Sequence, residues 1–164
     1  MRFATILLLA SLFVSCDRSR GSPTHPTSST NRDRPNYQGQ WTGSYRVDRC
    51  TPFPSETYAS FCTGFAPGTT IPVSMTFSQN RDVVTGQFIA GGLISSGFVS
   101  ALDTQGGVEI RATNSTFPYA YDFTWRLSIP EPRRLVGTVS LVRSGNAGLF
   151  GGANIEGTVV SLVR

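Results

Sequence analysis

Tyr119, Tyr121, Phe123, Trp125, Leu127 and Ile129 alternate along the chain with Ala120, Asp122, Thr124, Arg126 and Ser128. An apolar residue at every second position is the period of an extended strand with one face buried and the other in water. The same period recurs at Trp41-Gly43-Tyr45-Val47, Ile71-Val73-Met75-Phe77, Val84-Gly86-Phe88, Val108-Ile110-Ala112, Leu135-Gly137-Val139-Leu141 and Ile155-Gly157-Val159-Val163, and less regularly from Leu93 to Ala101. Turn-forming clusters separate these runs, among them Gln79-Asn80-Arg81-Asp82, Gly91-Gly92, Asp103 to Gly107, Asn114-Ser115-Thr116, Pro130-Glu131-Pro132 and Ser144 to Gly152. Roughly eight strands joined by short turns, with no helical period, predict an all-β fold. The expected architecture is an antiparallel up-and-down meander closing into a barrel or a sandwich.

One unit repeats: Trp41-Thr-Gly-Ser-Tyr45, Val84-Thr-Gly-Gln-Phe88, Leu135-Val-Gly-Thr-Val139 and Ile155-Glu-Gly-Thr-Val159. Glycine weakens a strand, so its recurrence between two inward residues needs a cause. Strong coiling at a barrel corner is one cause. Close approach by a bulky side chain is another, with Tyr119 to Trp125 as the source of bulk. Either favours a closed barrel over a flat sandwich.

The amino-terminal part is of another kind. Arg2 gives a positive flank, Phe3 to Val14 an apolar stretch, and Ser15 a small residue before Cys16; this is the layout of a cleaved signal peptide. Polar Asp17-Arg18-Ser19-Arg20 ends the run short of the roughly 20 apolar residues that span a bilayer. Leu12-Phe13-Val14-Ser15-Cys16 resembles the lipobox of bacterial lipoproteins, with Phe13 where that motif usually has Leu. The resemblance implies a signal peptide over 1–15, diacylglycerol and a further acyl chain such as palmitate on Cys16, and a membrane anchor in the cell envelope, facing the periplasm or the cell surface. Two acyl chains hold far more firmly than one. From Cys16 to Asn36 the chain is rich in Ser, Thr, Pro, Arg and Asn without apolar periodicity, and is expected to be a flexible tether carrying a barrel domain over 37–164.

In an exported protein the other two cysteines, Cys50 and Cys62, most simply form a disulfide. They lie in the one long interval between strand patterns, Arg49 to Thr70, with Phe53, Tyr58, Phe61 and Phe65. An interval this long is either a binding loop or lid, or a plug that closes one end of the barrel as core. A metal site is not expected, because two cysteines need further ligands and the one histidine, His25, lies in the tether.

The 14 basic residues are all arginine, and the formal net charge is +4. Arg2, Arg18, Arg20, Arg32 and Arg34 precede the domain, leaving nine arginines against eight acids from Tyr37 onward. A nucleic-acid surface concentrates charge on the folded face; this distribution speaks against a nucleic-acid partner. A domain without histidine holds no Ser-His-Asp triad and no Cys-His pair. Glu109, Asp122 and Glu156 fall on outward parities, so a carboxylate pair for glycoside hydrolysis is not expected either. Asp122, Arg126, Glu109, Arg111 and Glu156 on the outer faces also oppose a transmembrane barrel, whose outer face meets lipid. No enzymatic activity and no cofactor are expected.

Gly39-Gln40-Trp41 opens the first strand, and looks like the Gly-x-Trp that begins lipocalins, with a looser similarity to avidins. The resemblance implies a calycin-type barrel in which Trp41 closes one end and a late arginine packs across it. Arg143 is the first candidate for that arginine by parity, and Arg164 the second. It also implies a small apolar or amphipathic ligand. The candidate ligand-binding residues are Phe53, Tyr58, Phe61 and Phe65 of the loop, and Tyr121, Phe123 and Trp125 of the aromatic strand. The other reading is a structural or assembly protein whose filled barrel meets an envelope protein partner.

Overall fold

A computed structural model describes residues 34–52, 62, 64–116, 119–145 and 151–164. The signal segment, Cys16 and most of the tether lie outside the described residues, as do Phe53, Tyr58 and Phe61. The regular elements described are strands: β1 Gly39–Pro52, β2 Thr70–Asn80, β3 Val83–Ala90, β4 Leu93–Ile94, β5 Phe98–Ala101, β6 Val108–Thr116, β7 Tyr119–Glu131, β8 Arg134–Gly145 and β9 Ala153–Val163. They form one antiparallel sheet in the order β4-β3-β2-β1-β9-β8-β7-β6, with β5 also on β3. Pairing of β9 with β1 joins the two halves of the meander.

The stretch expected to be irregular, from Leu93 to Ala101, is one stave broken in two. Ser95 makes the break: its hydroxyl accepts from Phe88 N at 2.9 Å while its own N–H donates to Phe88 O. The far edge of this stave faces β6. There the ladder is sparse, with a bridge at Leu102–Val108, Ser96 N to Thr113 O at 2.6 Å, Thr113 N to Ser96 Oγ at 3.1 Å, Asn114 Nδ2 to Ile94 O at 2.5 Å and the Ser100 hydroxyl on Glu109 O. The sheet therefore nearly closes into a barrel, with side chains completing the last seam.

The repeated glycines sit where the neighbouring backbone comes closest. A Cβ on Gly43 would lie 1.9 Å from Ser161 O, on Gly86 2.0 Å from Thr76 O, on Gly137 1.9 Å from Arg126 O, and on Gly157 2.7 Å from Arg46 O. Register shifts fall beside two of them, at Ser44/Tyr45 and Leu135/Gly137. Coiling of adjacent strands is thus the cause. The aromatic strand does not supply the bulk: the side chains nearest to these positions are Phe77 at Gly86, and Tyr45 and Val139 at Gly157.

Aromatic rings occupy the barrel axis. Trp125 meets Tyr45 at 5.6 Å and Phe88 at 5.3 Å, both edge to face, and stacks on Phe123 at 6.3 Å between centroids. Phe88 meets Phe123 at 5.0 Å. Trp125 and Trp41 are fully buried. Among the described residues the buried cluster runs from Tyr37 to Leu162.

One end is closed by residues 34–38, which cross it as a strap. Tyr37 is buried, donates its hydroxyl to Gly106 O at 2.9 Å and Leu127 O at 3.2 Å, and bonds Gln79 Oε1 through its backbone N at 2.7 Å. Pro35 and Asn36, expected in the tether, are bound here as well: Gln79 Nε2 donates to Pro35 O at 3.1 Å and Arg164 to Asn36 O at 3.4 Å. Trp41 donates its indole N–H to Tyr37 O at 2.7 Å. The arginine over the Trp41 ring is Arg164, with its guanidinium carbon 5.0 Å from the centroid. Gly39 leaves room for it, since a Cβ there would lie 2.9 Å from Arg164 Cδ. Arg143, the candidate chosen by parity, does not do this. It has the right inward parity but lies near the carboxyl end of β8, at the opposite end of the barrel.

Burial pushes the phenols of Tyr37 and Tyr45 above their ordinary value, with the charge of Asp103 adding to the effect at Tyr37. Unfolded, each phenol ionises near about pH 10. A raised folded value means that their contribution is whole below about pH 10 and lost above it, because the unfolded chain releases protons that the fold retains. Urea unfolding midpoints at stepped pH should hold steady up to that region and then fall. In Tyr37→Phe the neutral-pH midpoint should be lower and the alkaline fall shallower; an unchanged fall would contradict the assignment.

Candidate functional site

The end opposite the strap is built from the close of β1, β6 and β8 and the start of β2, β7 and β9. Pairing places Tyr121 between Asn114 on β6 and Arg143 on β8, and Tyr119 opposite Gly145. The guanidinium carbon of Arg143 lies 3.5 Å from the centroid of the Tyr119 ring, so the cation rests on the aromatic face. Tyr119 and Tyr121 meet edge to face at 6.4 Å. Arg143 is one of two buried polar residues among those described, at 4% exposure, whereas both tyrosines are half-buried. Burial raises the Tyr121 phenol pKa, against the pull of Arg143's positive charge.

Cys50 and Cys62 form the expected disulfide, with Cα atoms 5.7 Å apart. The return of the loop is fixed on β1: Phe65 N donates to Cys62 O at 3.2 Å, Gly68 N to Val47 O at 2.7 Å, and Val47 N to Thr69 O at 2.8 Å. Phe65 and Cys50 pack against the core cluster, as does Tyr121. On the chain-entropy model a cross-link over this separation stabilises by about 3 kcal/mol. Reduction, or the paired change Cys50→Ser and Cys62→Ser, should lower the melting temperature accordingly; a melt unchanged by reductant would contradict this.

The candidate ligand residues therefore divide. Phe65 and Tyr121 stand at this mouth, while Phe123 and Trp125 lie below it in the filled interior, at 2% and 0% exposure. Phe123 and Trp125 are floor and core rather than an open wall. Tyr119, the first residue of the alternating strand, joins Tyr121 here although it is not among the candidate ligand residues; its alternation with Tyr121 is the signal that points to it. The mouth offers phenol edges, aromatic faces and one inward cation.

Among the described residues no group of three or more His, Cys, Asp or Glu side chains is arranged to hold a metal ion. Glu109 receives Arg111 at 2.8 Å and Arg126 at 2.9 Å on the outer face, and these bonds hold its carboxyl below the usual range. Glu156 receives Arg49 there at 2.7 Å. Exposed pairs of this kind are solvated and contribute little to stability.

The described residues define a small, nearly closed antiparallel β-barrel with residues 34–38 strapped across one end and Tyr119, Tyr121 and Arg143 at the other. No family model matches the chain, and no curated protein matches it. Among solved structures it is similar to one described as EF1p2_mFAP2b bound to DFHBI, with 12% identity, a TM-score of 0.46, and coverage of 77% of this chain and 92% of that chain.

Proposed function

We propose that this chain is a lipid-anchored protein of the bacterial cell envelope whose barrel binds a small apolar or amphipathic ligand at the mouth, without turning it over. The observation that carries the reading is the group formed by Tyr119, Tyr121 and Arg143 at the end of the barrel above the packed rings of Phe123 and Trp125. Depth is limited by Phe123 and Trp125, so the ligand lies across the mouth rather than along the axis. The Arg143 cation orients a polar or acidic head, and the tyrosine and phenylalanine rings take the apolar part. Cys16, acylated at the lipobox, is the anchor in this reading, and the calycin resemblance at Gly39-Gln40-Trp41 agrees with a binding role.

Titration with a panel of fatty acids and fluorescent apolar probes tests it. Saturable binding that falls about tenfold or more in Tyr121→Ala, and that loses its preference for acids over alcohols in Arg143→Gln, is expected. No saturable binding to any probe sinks the proposal. Mass spectrometry of residue 16 in the natural protein tests the anchor separately; an unmodified thiol there removes it.

A second reading has its own support. Ile89, Ile94 and Val99 are 46%, 58% and 78% exposed on the outer faces of β3, β4 and β5, and Ile89 pairs directly with Ile94. Such a strip fits an envelope protein partner. Recovery of one stoichiometric partner by cross-linking, lost in Val99→Glu, would favour it over ligand binding.

A further inference from the structure

We propose that the strapped end of the barrel is a docking face for an anionic phospholipid surface. Arg34, Arg81, Arg133, Arg134 and Arg164 all lie at this end. Arg34 pairs with Asp82 at 2.8 Å beside Arg81, Arg164 N donates to Arg133 O, and Arg34, Arg133 and Arg164 line one groove with Asn36, Gln105 and Ser128. Of the acids at this end, Asp82 pairs with Arg34 and Glu131 with Arg134 at 3.4 Å, while Asp103 accepts from the backbone N–H groups of Gln105 and Gly107 and keeps its charge, so these five arginines exceed the three acids by two. Arg81, Arg133 and Arg164 are left without a carboxylate partner among the described residues.

Backbone geometry adds an independent observation. Arg81 and Arg133 sit at the tips of the β2–β3 and β7–β8 hairpins with φ of 55° and 66°. This is the left-handed region, which strains any side chain and favours glycine. Both hairpins at this end thus hold an arginine at a position whose φ favours glycine. Val83 and Val163, at 43% and 52% exposure, stand on the same rim. Cations interleaved with exposed apolar residues match a headgroup layer.

The choice of a bilayer as occupant follows from charge and from chain continuity. Residues 1–33 precede Arg34 and include Arg18, Arg20 and Arg32 as well as Cys16, so an anchor at Cys16 reaches this end of the domain first along the chain. That nearness rests on the anchored reading above; the chemistry of the face does not. Each arginine near an anionic surface contributes about fivefold in partitioning, and the attraction is screened over about 10 Å at moderate salt.

The test uses residues 34–164, which hold every member of the core cluster among the described residues, mixed with vesicles of phosphatidylcholine alone or with added phosphatidylglycerol, and read by co-sedimentation. Partition to the anionic vesicles at low salt should exceed that to the neutral ones by about twenty-five-fold or more, and should fall as salt rises. Arg81→Gly with Arg133→Gly should lower the anionic partition by about twentyfold while preserving the melting temperature, since glycine adopts both φ values freely. Equal partition to the two vesicle types, or a double variant that binds as the parent does, overturns the proposal. Failure of the anchor would show elsewhere, as release of the natural full chain from phosphatidylcholine vesicles.

Discussion

Gly137→Ala is expected to cost about 3 kcal/mol or more, at the upper end of what overpacking does. The added Cβ would stand 1.9 Å from Arg126 O, 2.9 Å from Arg126 C and 3.0 Å from Leu127 Cα. All three are backbone atoms of β7, so no rotamer change relieves the clash; β7 and β8 must part where Leu127 faces Gly137. That parting would break ladder bonds on the strand that supplies Phe123 and Trp125 to the core. Gly64→Ala is the control, because a Cβ there meets nothing within 4 Å, and it should melt like the parent. Urea unfolding of the two variants decides the point. If Gly137→Ala is as stable as Gly64→Ala, the strands are not coiled together as described.

Trp125→Ala should lower stability by about 3–5 kcal/mol, the range for large aromatic truncations in packed cores. Removing the indole opens a space lined by Tyr45, Phe88 and Phe123, all at 2% exposure or less. An apolar hole of this kind stays dry and accepts small aromatic molecules. Benzene-like probes should therefore raise the melting temperature of the variant and leave the parent unmoved. A milder comparison isolates the indole N–H. Trp41 donates to Tyr37 O, whereas the Trp125 Nε1 is buried without a partner. Trp41→Phe should consequently cost about 1 kcal/mol more than Trp125→Phe. A loss under about 1 kcal/mol in Trp125→Ala would mean that the barrel is hollow where its rings now meet.

The strands were legible because alternation needs only the sequence: Tyr121 to Ile129 shows its buried face by period alone, and Asp122 and Arg126 point outward as their parity requires. The glycine units announced a coiled barrel, but their cause was half-read. A carbonyl from the next strand leaves no trace in composition, whereas a large side chain does, so Tyr119 to Trp125 drew the attention that Ser161, Thr76, Arg126 and Arg46 deserved. Parity likewise assigns a face and not a height. Arg143 and Arg164 could both point inward, and only the register of β8 and β9 against β1 and β7 shows which one reaches Trp41 and which one Tyr119. Tyr37 was hidden for another reason: it precedes the first alternating run, next to residues typical of a spacer, and its burial depends on Gly106 and Leu127, far away in sequence.

The pairing of β1 with β9 sets Thr42 beside Val163, so the two halves of the sheet are joined by segments separated by nearly the whole domain. Loop-closure entropy is met before that contact repays it, and chains of this topology fold in milliseconds to seconds rather than microseconds. During synthesis the first strand must wait, with one edge unsatisfied, until the ninth leaves the ribosome.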